Sequence, residues 1–409
     1  MTPLGMTTAA VLFRTGAIVL LAVQIAMLLT LLARLMPGRT RRPPAQPLLD
    51  SPTHTTVTVV VATLNEAKRI QPCLEGLMAQ TVPMLEVLVV DSRSTDGTRE
   101  LVAQAAARDP RISLITDDPL PEGWVGKVWA LETGLRRAKG EWVLGIDADT
   151  VPVPGLVGGV IAEIERDGYE VASFSPRFEG QAAGERFVQP AMLTTLVYRC
   201  GAAGATQPPP DRVLANGQCF IARRALLEQH GGYSSARASF SDDVTLARHL
   251  AARGARVGFL DGTEIIRVRS YASLGEMWRE WGRSFDLKDA TPVWRRWLDV
   301  ALVWSVQALP LPMLIVLTLL WTGAQVPMAT DATRQIVEAL LLVNASAFLI
   351  RMMMLVALRG SYAERGAPFW LSWLADVPAA IRLTISTVHT PRRWRGRSYS
   401  GLEIGRAHV

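Results

Sequence analysis

Two acidic pairs, one isolated aspartate and one lysine are the residues through which this sequence could do chemistry. Asp147-Ala148-Asp149 follows the apolar run Trp142-Val143-Leu144-Gly145-Ile146. Carboxylates at i and i+2 beyond a buried strand point the same way. As hard oxygen ligands they suit Mg²⁺ or Mn²⁺, ions that keep waters and also take substrate phosphates. The same pair could instead cap a strand-to-loop turn. Ser241-Asp242-Asp243 precedes a helical stretch from Thr245 to Leu250. There the helix dipole favours carboxylates as caps. The alternative is a general base that takes the proton of an acceptor hydroxyl, with the neighbouring charge able to push one pKa upward. Asp91 closes a second apolar run and could accept a hydrogen bond from a base N–H or a ribose hydroxyl. Asp96, with Ser94 and Thr95, reads more simply as a helix cap. Gly123-Trp124-Val125-Gly126-Lys127 offers close backbone approach and one positive charge. That suits a diphosphate, or it is a loop with a solvated lysine.

Alternating strands and helices must position these groups. Val57 to Ala62 is β-branched and almost continuously apolar, as a buried parallel strand is. A helix over roughly 68–79 and a strand over Leu85 to Val90 follow. Ser94 to Gly97 opens a helix running to about Arg108, then come a short strand at Ile112 to Thr116, a helix at Ala130 to Ala138 and the strand before Asp147. The pattern predicts a doubly wound α/β sheet. Ligands bind such sheets beyond the carboxyl ends of the strands, where Asn65-Glu66, Asp91-Ser92 and Asp147-Ala148-Asp149 fall. No GxGxxG follows the first strand, which argues against a dinucleotide site.

The flanks are of another kind. Of 409 residues 49% are hydrophobic and 20% charged, which excludes a disordered chain. Cys73, Cys200 and Cys219 are too scattered for a disulfide scaffold or a cysteine-built zinc site, and suit a reduced compartment. Residues 51–290 hold 26 Lys+Arg against 30 Asp+Glu, whereas the remainder holds 17 against 7. The overall +6 therefore sits on the flanks, beside the apolar segments, and points to anionic lipid rather than nucleic acid. Gly16 to Ala33 is uncharged and followed at once by Arg34, Arg39, Arg41 and Arg42. A cleaved signal would carry its basic residues ahead of the apolar run, so this reads as a retained anchor with residue 35 onward in the cytoplasm. Ala301 to Thr330 carries no charge, with Pro310 and Pro312 as expected kinks, and Ala339 to Leu358 is interrupted only by Arg351. These read as a hairpin whose connecting loop contains Arg334. Residues 367–388 hold Asp376 and Arg382 and read as re-entrant or interfacial, ahead of the basic tail Arg392 to Arg397. Trp278, Arg279 and Trp281, then Trp294 and Trp297, have the composition of interfacial helices. Ordinary core helices are the alternative.

The order Thr63-Leu64-Asn65-Glu66, Asp91 to Thr98, Asp147-Ala148-Asp149 and Asp242-Asp243 ahead of Leu246 and Arg248 resembles the family 2 glycosyltransferases over about 57–289. The resemblance implies a GT-A fold with a mixed doubly wound sheet, here with transmembrane helices at both ends. It also implies a nucleotide-sugar donor, usually a UDP-sugar, a divalent cation (Mg²⁺ or Mn²⁺) and inverting displacement. By motif match Asn65, Glu66 and Asp91 would lie in the nucleotide pocket with Lys127 assisting. Asp149 would hold the metal with Asp147 near the ribose and donor sugar, and Asp243 would be the base beside Asp242. The usual DDGS is here Asp91-Ser92-Arg93-Ser94, one acidic contact fewer, and the QxxRW of processive synthases is absent. Pro121 to Ala130 with Trp278 to Ser284 is similar to bacterial glycosyltransferases acting on carotenoids and those associated with hopanoids. That implies a terpenoid acceptor in the membrane.

The expected organisation is an anchor and basic linker (1–50), a GT-A domain (51–275), interfacial helices (276–300) and a C-terminal hairpin with tail (301–409). The expected activity is transfer of a sugar to a lipid hydroxyl at the cytoplasmic side of an inner or plasma membrane. No obligate protein partner is called for. Transfer to a glycerolipid, sphingoid or polyprenyl-phosphate acceptor is the alternative within the class. A non-catalytic nucleotide-sugar-binding membrane protein is the alternative outside it.

Overall fold

A computed structural model describes residues 8–50, 55–81, 83–205, 209–269, 271, 273–322, 331–389, 393–394 and 397–398. The chain opens with α1 (Thr8–Leu35). It then builds β1 (Val57–Thr63), α2 (Ile70–Met78), β2 (Met84–Asp91), α3 (Thr98–Arg108), β3 (Ile112–Thr116), α4 (Gly126–Arg137), β4 (Trp142–Asp147) and β5 (Thr150–Pro152). The second half of the soluble part holds α5 (Leu156–Asp167), β6 (Val171–Ser175), β7 (Arg177–Glu179), α6 (Ala183–Cys200), β8 (Cys219–Arg223), α7 (Arg224–Gln229), α8 (Asp242–Ala251), β9 (Val257–Asp261) and β10 (Ile266–Arg269). The main sheet runs β3-β2-β1-β4-β8-β6-β9, parallel on the β1 side and antiparallel where β8 joins β4 and β6. A small sheet, β5-β10-β7, lies beside it. The valines of β1 are buried on both faces, as a central strand requires. Register then does the positioning: Thr63 pairs with Asp91, and Ala62 with Asp147. Both aspartates arrive at one edge of the sheet.

The remaining helices are α9 (Leu274–Ser284), α10 (Val293–Val303), α11 (Pro310–Thr322), α12 (Asp331–Leu358), α13 (Ala367–Trp370) and α14 (Asp376–Val388). Among the described residues Val11–Thr40 and Asp331–Ser361 are long and apolar enough to cross a membrane. Val293–Ala308 and Pro310–Thr322 form a pair bent by 53°. A π turn at Trp304–Ala308 absorbs the bend immediately before Pro310, which has no N–H to give the helix.

Several expectations for the flanks change. Arg34 is not a free flanking charge: it is buried and, with Arg199, holds Asp299, tying α1 and α6 to α10. Arg334 lies in the first turns of α12, paired with Glu338, rather than in the connecting loop. Trp278 and Trp281 do not form a lipid-facing pair. Trp281 is buried edge-to-face with Phe285 in a cluster with α6 and α14, and Trp278 packs beneath Arg382. Trp294 and Trp297 are exposed, at the start of the bent helix. Residues 367–388 break into short pieces packed on the bundle, none of them long enough to span alone. Arg392 and Arg395 of the basic tail lie outside the described residues, and the backbone of Arg393–Trp394 pairs with Arg397–Ser398.

The segment after α1 is laid on the soluble part as an extended strap. Pro43, Pro44 and Pro47 preset its backbone. Arg42, Ala45 and Leu48 donate N–H bonds to Gly204, Asp261 and Gly155. On α5 a Cβ at Gly158 would stand 2.2 Å from the Leu48 carbonyl oxygen, and one at Gly159 2.2 Å from that of Gln46. Only glycine lets the strap approach so closely. Gly158→Ala or Gly159→Ala should therefore cost about 1–3 kcal/mol through overpacking. Limited proteolysis checks this: cleavage within 41–50 should accelerate in the variants, and unchanged cleavage would contradict the contact.

Candidate active site

The loops after β1 and β2 interlock. Asn65 takes a left-handed backbone (φ 56°), donates its N–H to the Ser94 hydroxyl at 2.8 Å and accepts the Thr95 N–H at 2.9 Å. Glu66 donates its N–H to the Thr98 hydroxyl, and Asp96 accepts N–H bonds from Ala67 and Thr98, so the capping reading of Asp96 is what the hydrogen bonds support. Asp91 is fully buried. It accepts the Ser94 N–H and an Arg99 N–H, each at 3.0 Å, and faces the Thr63 hydroxyl at 3.3 Å. Ser92, in the place of the usual second acidic residue, donates to Asp117 at 2.6 Å. Asp117 at the end of β3 thus returns a carboxylate to this edge from a different strand. Its sequence signal was Asp117-Asp118 after a short apolar run.

Lys127 belongs to the first turn of α4, not to a loop. Its Nζ lies 2.7 Å from Asp147 Oδ1. The third partner comes from α8, which shares with α4 the apolar cluster on one face of the sheet. Asp242 and Asp243 open α8, where Asp242 is buried and Asp243 half-buried. Asp243 Oδ2 accepts the Gly217 N–H at 2.6 Å and its Oδ1 the Val244 N–H at 2.8 Å. A Cβ at Gly217 would stand 2.9 Å from Lys127 Nζ, 3.6 Å from Asp243 Oδ2 and 3.9 Å from Asp147 Oδ2. Three charged side chains therefore meet around one glycine, whose role no side-chain pattern could reveal. The Asn-Gly turn signal at Asn216-Gly217 was its trace in the sequence.

Electrostatics follow from this packing. Burial pushes the Asp243 carboxyl up to about 7, and the Asp242 charge pushes the same way, against Lys127 and the two N–H donors. Burial likewise raises Asp242. For Lys127 burial disfavours the ammonium, but Asp147, Asp242 and Asp243 outweigh it and the lysine stays charged.

These groups line a cavity of about 740 Å³ that also takes in Glu66, Asp149 and Gly217. Its other walls are apolar residues of α6, α1 and α12, with Arg39 and Arg41 also on its lining. Gly201 to Ala203 join the lining, while 206–208 of that loop lie outside the described residues. Of the acceptor candidates Trp281 lines the cavity; Trp278 and the exposed Arg279 do not. Asn65 and Asp91 are not on its lining; they brace the interlocked loops beside Glu66, with Asp91 fully buried.

No three His, Cys, Asp or Glu converge into a metal cage among the described residues. Mg²⁺ or Mn²⁺ needs only one or two protein carboxylates when phosphates and waters complete its shell. Asp149, on the cavity wall two residues past the lysine-bound Asp147, fits that donor set.

Residues 58–231 match the family model described as Glycosyl transferase family 2. Over that stretch, less than half of the chain, the sequence is similar to the family 2 glycosyltransferases. It is 29% identical over 136 residues to the glycosyltransferase AglE of Haloferax volcanii, covering 32% of this chain and 43% of that protein. To the dolichyl-phosphate beta-glucosyltransferase ALG5C of Trichomonas vaginalis it is 34% identical over 111 residues, covering 25% and 32%. The chain thus spans less than half the length of these relatives. Its fold is similar to that of the mannosyltransferase PcManGT from Pyrobaculum calidifontis, solved with GDP-Man and Mn²⁺. The likeness has a TM-score of 0.51 and 21% identity, and covers 90% of this chain and 98% of the other. The soluble part accordingly has a mixed α/β GT-A-like fold, flanked by helices able to cross a membrane.

Proposed function

We propose that this chain is a membrane-anchored inverting glycosyltransferase. It moves a sugar from a nucleotide diphosphate sugar, a UDP-sugar by family resemblance, to a hydroxyl of a lipid, a carotenoid or other terpenoid. Residues 51–275 are its catalytic part, on the cytoplasmic side of the membrane. One observation carries the reading: a single cavity is lined both by the Asp147, Asp149, Asp242 and Asp243 carboxylates and by side chains of the membrane-length helices.

In this reading the nucleotide lies against Asn65, Glu66 and Asp91. Asp243 accepts the proton of the acceptor hydroxyl as its oxygen bonds to the anomeric carbon. The bond from that carbon to the diphosphate breaks, and the nucleoside diphosphate leaves. Lys127, drawn from Asp147 toward the diphosphate, offers it a positive charge. Asp149 would hold Mg²⁺ or Mn²⁺, which when bound supplies neutralisation of the leaving group. A second reading, transfer to a polyprenyl phosphate, draws on Arg39 and Arg41 at the cavity lining.

Membranes holding the protein are incubated with Mg²⁺ or Mn²⁺ and a panel of labelled nucleotide sugars, then extracted with organic solvent. Label is expected in a neutral terpenoid fraction, and absent from membranes holding Asp149→Ala. Label confined to anionic lipid would establish the second reading instead. Donor binding with no lipid labelled, even with native lipids supplied, would sink both.

A further inference from the structure

Two helices offer the cavity one stripe each. From α1 and the turn that ends it come Leu32, Leu35 and Met36, and from α12 come Ile350, Met353, Met354 and Ala357. The spacings i, i+3, i+4 and i+7 put each set on one helical face. Some of these residues are also open to the outside: Leu32 is 42%, Met36 54% and Met353 62% exposed. A side chain that both lines a cavity and faces out marks its mouth. Both helices are long and apolar enough to cross a membrane. The transfer chemistry at Asp243 makes no use of this wall.

Building on the lipid-acceptor reading, we propose that the acceptor slides in sideways from one leaflet through a slot beside the packed ends of α1 and α12, where Leu35 meets Ile350 and Met354, and that Met353, Met354 and Ala357 select its apolar body. The occupant is a long, uncharged isoprenoid-type alcohol. The seven lining side chains are uncharged, and Arg34 and Arg351 between them are buried on Asp299 and Asp376, so a neutral body loses nothing against this wall. The slot leads to the half-buried Asp243, where the alcohol's hydroxyl becomes the nucleophile. Methionine is unbranched and adaptable, which fits a wall that must close on a chain sliding past. Ala357 keeps the passage wide.

The test uses the full chain in phospholipid nanodiscs, with geranylgeraniol as bilayer acceptor and geraniol as its short counterpart. Met353→Trp and Ala357→Trp obstruct the slot at outward-facing positions; retained donor affinity certifies their fold. Transfer to geranylgeraniol relative to geraniol should fall by about 10–200-fold, the range set by apolar pocket contacts, while Met353→Leu keeps the wild-type ratio. A diazirine-bearing isoprenoid alcohol in the same nanodiscs should label peptides containing 32–36 and 350–357. Normal ratios in both Trp variants, or labelling only elsewhere, would overturn the slot while leaving the lipid-acceptor reading intact. Slot peptides labelled without transfer to any alcohol would instead overturn that reading and keep the slot. Preference for geranylgeranyl phosphate over the alcohol would overturn the uncharged occupant.

Discussion

Replacing Asp243 with asparagine should lower sugar transfer by about 10²–10⁴-fold, the loss typical of a missing general base, with donor affinity retained. The side chain keeps its size, and one oxygen remains to accept the Gly217 or Val244 N–H. The proton-accepting capacity is lost, together with one of the two backbone N–H bonds. The pH profile separates this from a merely structural effect. With the Asp243 carboxyl pushed up to about 7, the base form appears as pH rises through that value. Wild-type turnover should therefore climb across an acid limb near neutrality, and the variant's residual turnover should lack that limb. Stability runs in the opposite sense. A carboxyl that holds its proton more tightly when folded favours the fold below its unfolded value, and loses that contribution as pH rises to about 7. Asp243→Asn should then melt above wild type near pH 8, with the gap closing at about pH 4. Turnover within a few-fold of wild type, with the donor bound, would remove Asp243 from the mechanism. It would also favour a phosphate acceptor that brings its own nucleophilic charge.

The second large effect concerns the helices. Arg351 reaches both oxygens of Asp376, at 2.9 and 2.8 Å, and Gln307 donates to the same carboxylate at 3.0 Å. Arg351 is 1% and Asp376 4% exposed. Asp376→Ala leaves a guanidinium buried without its counter-charge, a change that typically costs about 3–5 kcal/mol. The midpoint of thermal unfolding in detergent should fall sharply. Arg351→Met with Asp376→Leu removes both charges together and should recover most of that loss, because a buried pair contributes little beyond an apolar replacement. If the double variant melts as low as the single one, the pair specifies the packing of α12 against α14 rather than merely neutralising itself.

Those same two residues show where sequence reasoning runs out. Each interrupts an apolar stretch, and each reads as evidence against a clean span. That they cancel one another depends on the first residue of α14 arriving beside the C-terminal half of α12, which no local pattern encodes. Trp278 and Trp281 fail for a related reason. A spacing of three puts them on one helical face whether that face meets lipid or α6. The sheet was legible because central parallel strands are continuously apolar, and its carboxyl edge therefore gathers the polar clusters at Asn65, Asp91 and Asp147. Lys127 was legible as a charge near phosphate but not as a helix-start residue bound to Asp147. Gly217 acts through its N–H and through the side chain it lacks, so a reading based on side-chain types passes over it.

The proline strap has a kinetic consequence. A catalytic domain on a slack tether would sweep a hemisphere of solution and meet its membrane only intermittently. Pinned through Gly155, Gly158 and Gly159, this domain instead keeps its carboxylates at a constant height above α1. Under the lipid-acceptor proposal, encounters with the acceptor then belong to two dimensions. The governing quantity is the mole fraction of acceptor in the bilayer, not its amount per volume. Adding inert phospholipid at fixed total acceptor should slow transfer by surface dilution alone, and loosening the strap should weaken that dependence.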